Sequence, residues 1–186
     1  MKTACVRTIR LTLLVLICGT FFSASIQAAT KMEINTSVSA AKDRFVKDVK
    51  GANEYLKIAK GILVIPNITK AGFVVGAQYG TGALQVEGKT VNYYSLAGAS
   101  VGFQAGAEKF DLIILFITDE ALNKFQSSQG WEAGVDAEVT MVNVGADVTV
   151  ETLRSQSPVV GFVIDQKGLM GGVSLKGAKF TKTQPK

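Results

Sequence analysis

Apolar residues recur at steps of three and four early in the chain. Val38, Ala41, Phe45 and Val49 form one stripe, which Val46 broadens. This is the helical period, and it predicts an amphipathic helix over residues 37–50. Lys42, Asp43, Arg44, Lys47, Asp48 and Lys50 occupy its other faces, and Gly51 stands where a helix would stop. A shorter helix is predicted over 52–60. Ile62-Leu63-Val64-Ile65-Pro66 then reads as a short buried strand halted by its proline.

From Gly72 onward the period changes to two, with glycine unusually frequent on one side. In 72–82 the odd positions are Phe73, Val75, Ala77, Tyr79 and Thr81, against Gly72, Val74, Gly76, Gln78, Gly80 and Gly82. Similar alternation in 100–106 and 131–141 predicts half-buried strands whose apolar face carries Val101, Phe103, Trp131, Ala133 and Val135. Glycine weakens a strand, so several on one face call for sharp bending or the close approach of another element. Glu87-Gly88-Lys89 marks a hairpin turn between 84–86 and 91–94. Leu112 to Ile117 is continuously apolar, as in a strand covered on both faces, and Thr118 is placed to cap a helix over 119–126 that buries Leu122 and Phe125. Further strands are expected at about 142–151, 158–164 and 169–180. The pattern gives an α+β fold: N-terminal amphipathic helices packed on a strongly curved, mostly antiparallel, glycine-rich β-sheet or small barrel.

The first 28 residues have a different character. Lys2, Arg7 and Arg10 precede an apolar run from Leu11 to Phe22, and small or polar residues follow up to Ala29. The run is too short to span a bilayer core of about 30 Å. It reads as a secretory signal cleaved after Ala28, or alternatively as a retained anchor. Ile17 precedes Cys18, whereas a lipobox wants a small residue there. Residues 29–186 are then a single domain of periplasmic or secreted location, peripherally associated with a membrane. A transmembrane β-barrel is the competing architecture, opposed by the helical front and the basic tail.

Composition removes whole classes of chemistry. The chain has no histidine, and its cysteines, Cys5 and Cys18, both lie in the signal segment. Residues 29–186 therefore offer no Cys/His zinc site, iron–sulfur cluster, imidazole base or disulfide. No cofactor is expected. The signal carries three bases and no acid, so 17 bases and 15 acids remain, a net +2 that gives no reason to expect nucleic acid. The distribution says more. Seven acids and one base lie between Asp119 and Glu151, whereas Lys167, Lys176, Lys179, Lys182 and Lys186 follow Asp165 without an acid.

Candidate chemistry is sparse. Gly88-Lys89-Thr90 resembles the end of a phosphate loop, but Ala83 stands where that loop needs glycine, and the flanks read as strands. Asp136 and Glu138, two apart on a predicted strand, would lie roughly 7 Å from each other. This suits acid–base work or a cation, and equally a solvated face. Trp131, Tyr79, Tyr93 and Tyr94 can stack on sugar or base rings; the parity of Trp131 and Tyr79 favours the core for both. The first helix is the better lead. Lys42, Arg44, Lys47 and Lys50 would sit at anionic headgroups while Phe45 and Val49 enter the acyl boundary, with Lys179 and Lys182 adding a second basic surface.

Several separate motifs, in order, carry a family resemblance. They are Lys60-Gly61-Ile62-Leu63-Val64-Ile65-Pro66, Lys70-Ala71-Gly72-Phe73, Gly76 to Leu84, Ala99 to Ala107, Ile114 to Thr118, Gly130 to Val135 and Lys167 to Met170. Over about residues 40–182 the chain resembles the SYLF-domain family. The resemblance implies a non-enzymatic lipid-binding module, with residues 37–50 matching the amphipathic lead-in through which eukaryotic relatives bind phosphoinositides. Some relatives bind actin, but export would separate this chain from cytosolic actin, so actin is an unlikely partner and an ordinary anionic phospholipid is expected. The alternative is a structural or protein-interaction module of the envelope with no lipid affinity.

Overall fold

The computed structural model describes residues 29–72, 75–101, 106–142, 149–165, 168–169 and 175–186. Residues 1–28, where a secretory signal is expected, lie outside these residues, as do most of the alternation expected in 100–106 and much of the strands expected at 142–151 and 169–180.

Helix α1 is Lys31–Asp48, beginning at residue 31 rather than 37. A capping box sets that start. The Glu33 N–H donates to Thr30 Oγ1 at 3.3 Å, and the Glu33 carboxylate accepts the Thr30 N–H at 2.7 Å. Gly51 adopts φ +83° and opens α2 (Ala52–Ile58).

Nine strands follow among the described residues: β1 Gly61–Gly72, β2 Val75–Val86, β3 Lys89–Val101, β4 Gly106–Phe116, β5 Gly130–Glu132, β6 Thr140–Met141, β7 Val159–Asp165, β8 Gly168–Leu169 and β9 Lys179–Thr183. They form one curled sheet in the order β5-β9-β3-β2-β1-β4-β7-β6, with β8 beside β7. Every pairing between strands is antiparallel except β6 with β7. The fold class is the expected α+β. The predicted hairpin is present as well: Glu87 and Gly88 have φ of 51° and 77°, the two positive values of a type I′ turn.

Two apolar layers sandwich the sheet. On one face α1 and α2, with α4 (Val150–Gln156), cover Val64, Ile113, Leu115, Val160 and Phe162. Phe45 meets Phe162 edge-on, with ring centroids 4.9 Å apart. On the other face α3 (Asp119–Ser127), capped by Thr118 as expected, drives Phe125 between Tyr94, Phe116 and Trp131 at 4.6, 4.7 and 5.4 Å. β4 is buried on both sides, as its unbroken apolar run required.

Pro66 does not end its strand. β1 runs through it because Pro66 and Asn67 together oppose the single residue Asp111, making a bulge between Ile65 and Ile68. A bulge leaves a residue outside the ladder, so the missing proline N–H goes unnoticed. Asn67, at φ 52°, donates its N–H to Asp111 Oδ1 at 2.9 Å. Asp111 Oδ2 accepts from Arg44 Nε of α1 at 2.8 Å and also from the Arg44 Nη2. Asp111 is only 4% exposed.

The bulge also reverses the expected facing of β2. Gly80 and Gly82 point into the core, and Tyr79 points out, 59% exposed, instead of packing inside. The space a side chain at Gly80 would need is filled by Ile65 and Ile68, and a Cβ on Gly82 would lie 1.8 Å from the Val64 carbonyl oxygen. The glycines are inside because β1 leaves no room for anything larger. Trp131 is buried, as predicted. The strand expected over 131–141 is instead a short β5 followed by a turn at 134–136, which leaves Val135 73% exposed. Part of the expected 142–151 strand is the start of α4.

Two stability predictions follow from buried polar groups. Tyr94 Oη is buried with no hydrogen-bond partner among the described residues, and burial pushes its pKa up to about 12. Tyr94→Phe should therefore raise urea-unfolding stability by about 1 kcal/mol, since an unsatisfied buried hydroxyl costs roughly 1–3. Above the ordinary tyrosine pKa of 10 the unfolded chain loses this proton before the folded one does, so wild-type stability should fall between pH 10 and 12. That part of the alkaline loss should vanish in Tyr94→Phe, as read by melting temperature against pH. Asp111→Ala orphans Arg44 and the Asn67 N–H. It should cost about 3 kcal/mol in the same unfolding assay, the low end for a broken buried pair, because Arg44 is 40% exposed.

Candidate lipid-facing surface

The residues expected to meet a membrane fall into four groups. Phe45 and Val49 are core residues, 0% and 7% exposed. The expectation that they enter an acyl layer is corrected: the stripe that looks free in the sequence is the one that packs on the sheet. Lys42 and Arg44 are half-buried and engaged, Lys42 Nζ donating to Gln85 Oε1 at 2.8 Å and Arg44 to Asp111. Lys47 and Lys50 remain exposed at the end of α1, without an ion pair among the described residues.

The sequence gives little reason to single out Lys57 of α2, but it is exposed as well and follows the same α1–α2 turn. The three free ammonium groups thus lie within eleven residues of chain, from the last turn of α1 to the last turn of α2. Lys47 also stands in the last turn of α1, where a cation is favoured by the helix dipole. Exposed acids nearby (Asp43, Asp48 and Glu54) offset part of this charge.

The C-terminal lysines do not join this group. Lys182 shares its strand face with Phe180, on the side of the sheet away from α1, and its Nζ reaches the Gln126 carbonyl of α3 at 2.6 Å. Lys179 has the opposite parity and lies over Gly130, where a Cβ would meet its Cε at 2.7 Å. The end of β9 instead comes round to the start of α1, where the Lys31 N–H donates to the Lys186 carbonyl at 3.0 Å. Lys31 and Lys47 are separated by about 24 Å of helix at 1.5 Å per residue. The two basic sets therefore do not make a single patch.

The carboxylate pair considered for catalysis is not assembled on a strand. Asp136 Oδ2 accepts the Glu132 N–H at 2.6 Å and closes the 134–136 turn, while Glu138 is exposed at the rim of a cavity of about 320 Å³ that Met141 and Leu175 also line. At the start of α1 the backbone and side-chain hydrogen bonds from Thr30 hold the Glu33 carboxyl below its usual pKa. Among the described residues no three acidic side chains group as metal ligands, and no helix is long and apolar enough to cross a membrane.

Sequence comparison places this architecture. Residues 97–186 match the family described as Ysc84, Las17-binding protein actin regulator. SH3 domain-containing YSC84-like protein 1 of Homo sapiens is 30% identical over 125 residues, covering 64% of this chain and 36% of that protein. The Mus musculus protein of the same name matches to the same extent. LAS seventeen-binding protein 3 of Saccharomyces cerevisiae is 27% identical over 132 residues, covering 67% of this chain and 28% of that one. The chain thus spans about a third of the length of these relatives. The family description names an actin regulator, so the expectation that actin is an unlikely partner gains no support here. The glycine-rich motifs, the curled sheet beneath two N-terminal helices and the match over residues 97–186 agree: the chain is similar to the SYLF-domain family.

Proposed function

We propose that this is an exported, non-catalytic lipid-binding protein that associates with anionic phospholipid through the basic end of its helical layer. The observation that carries the reading is the exposure of Lys47, Lys50 and Lys57 around the α1–α2 turn, none in an ion pair among the described residues. A lysine near an anionic membrane surface contributes about 1 kcal/mol. Three give at most about 3 kcal/mol, from which the repulsion of Asp43, Asp48 and Glu54 subtracts, so adsorption is weak and reversible. With Phe45 and Val49 in the core, adsorption is electrostatic and proceeds without insertion of that stripe. Lys42, Arg44, Lys179 and Lys182 then have supporting roles: the first two fix α1 on the sheet, and the others add long-range attraction. The basic and apolar regions ahead of Ala29 support export to the periplasm or beyond, with peripheral attachment to the membrane.

A protein-interaction role is the second reading. It is favoured by relatives whose names refer to Las17 binding and by a family description naming an actin regulator.

Residues 29–186 should co-sediment with anionic but not neutral liposomes at 0.01 M salt. Most of that binding should be lost at 0.1 M, where the screening length falls from about 30 to about 10 Å. Charge reversal by Lys47→Glu, Lys50→Glu and Lys57→Glu together should weaken binding about a hundredfold. Binding unchanged by the triple variant would move the site elsewhere. No binding to either liposome, with co-sedimentation on filamentous actin instead, would replace the lipid reading by the protein one. Intact mass of the protein recovered from its native host should begin at Ala29; a mass that includes residues 1–28 would mean a retained anchor.

A further inference from the structure

One side chain in the described residues is out of place for a merely structural role. Tyr79 is a large aromatic turned to solvent on a central strand, in a fold that buries Tyr94, Phe116, Phe125, Trp131 and Phe180 in the core. It stands at the wall of a groove of about 260 Å³ between the start of α1 and the β1–β2 surface. Pro66 and Gly80 give the groove a flat apolar floor beside the ring. Thr69, directly across the ladder from Tyr79, and Thr81, Ser37 and Asn67 supply hydroxyl and amide groups around it. Thr81 Oγ1 donates to the Tyr79 hydroxyl at 3.3 Å, which steadies the ring. The backbone N–H of Asn67 is already taken by Asp111, and its side chain is exposed.

The charge of the groove narrows the ligand. No lysine or arginine lines it, and the carboxylate of Glu33 does. Two N–H groups at the start of α1 are used: Lys31 donates to Lys186 and Glu33 to Thr30. The groove therefore sets no cationic side chain against an anion. An aromatic face with an apolar floor and a rim of neutral hydroxyl and amide groups suits a neutral polyhydroxylated ring, whose C–H face stacks while its hydroxyls exchange hydrogen bonds. The volume lies below the roughly 300–1,000 Å³ that encloses a drug-sized ligand. The groove thus takes one ring of a longer chain and leaves the rest in solvent.

We infer that the Tyr79 groove is a binding subsite for a neutral sugar ring, belonging either to a soluble glycan or to the headgroup of a glycolipid. The site is separate from the lysines of the α1–α2 turn and stands whether or not they bind lipid.

The test follows amide shifts of Tyr79, Thr81 and Thr69 in the isotopically labelled full chain. The chain is titrated with neutral gluco-, galacto- and N-acetylglucosamine oligosaccharides and with their phosphorylated counterparts. Parallel flotation uses phosphatidylcholine vesicles with and without a neutral glycolipid. Saturable shifts with a neutral oligosaccharide, weakened about tenfold in Tyr79→Ala, would support a glycan ligand. Glycolipid-dependent flotation lost in the same variant, without a response to free sugar, would support a headgroup. Tyr79→Phe should retain most of the affinity, since the stacking face survives. The proposal is overturned if no neutral sugar produces a response in either arm, if the phosphorylated sugars bind more tightly than the neutral ones, or if a folded Tyr79→Ala binds as wild type does.

Discussion

Asp111 accepts hydrogen bonds from two separate elements of the fold and ties one to the other. One is the bulge at Pro66–Asn67, where β1 carries one residue too many for β4. The other is Arg44, more than sixty residues away in sequence, on the helix that covers the sheet. An extra residue in a central strand leaves a backbone N–H with nothing opposite it, and a buried N–H must find a partner. The carboxylate supplies that partner, and Arg44 balances its charge. Once the bulge is fixed, β1 crowds the neighbouring strand, and only glycine fits at Gly82. The parity of β2, the outward turn of Tyr79 and the seating of α1 descend from that local arrangement.

Features set by neighbours in sequence were legible from it. The Glu87–Gly88 turn, the doubly covered β4 and the Thr118 cap each depend on a few adjacent residues whose preferences agree. The capping box at Thr30–Glu33 was equally local, and its spacing would have placed the start of α1 correctly. What could not be read was which face of β2 is inside. Alternation fixes that two faces exist; it does not say that the bare one points inward, because the reason is the space taken by Ile65 and Ile68 on another strand. The 131–141 segment misled for a related reason. Its alternation is real, but Gly134, at φ +85°, and the Asp136 carboxylate fold it back before a long strand can form.

The basic helix shows the same division. Its charges were visible, and so was its apolar stripe. The fate of each depended on distant partners: Phe162 for Phe45, Asp111 for Arg44, Gln85 for Lys42. A membrane-binding amphipathic helix and a sheet-packing one have the same pattern until the sheet is known. Here the sheet claims the apolar side, and only the lysines nearest the α1–α2 turn remain available.

The attachment of α1 at several points has a dynamic consequence. Its start is tied through Lys31 to Lys186, its flank through Asn35 to Tyr93 at 3.0 Å, and its far half through Arg44. Ile34, Val38, Ala41 and Phe45 lie beneath it. Lifting the helix would expose all four and strand a buried carboxylate, a cost that rivals the roughly 5–15 kcal/mol by which a domain is stable at all. Local opening of α1 thus costs a large part of the stability of the whole domain. The helix and sheet meet any surface as one rigid body.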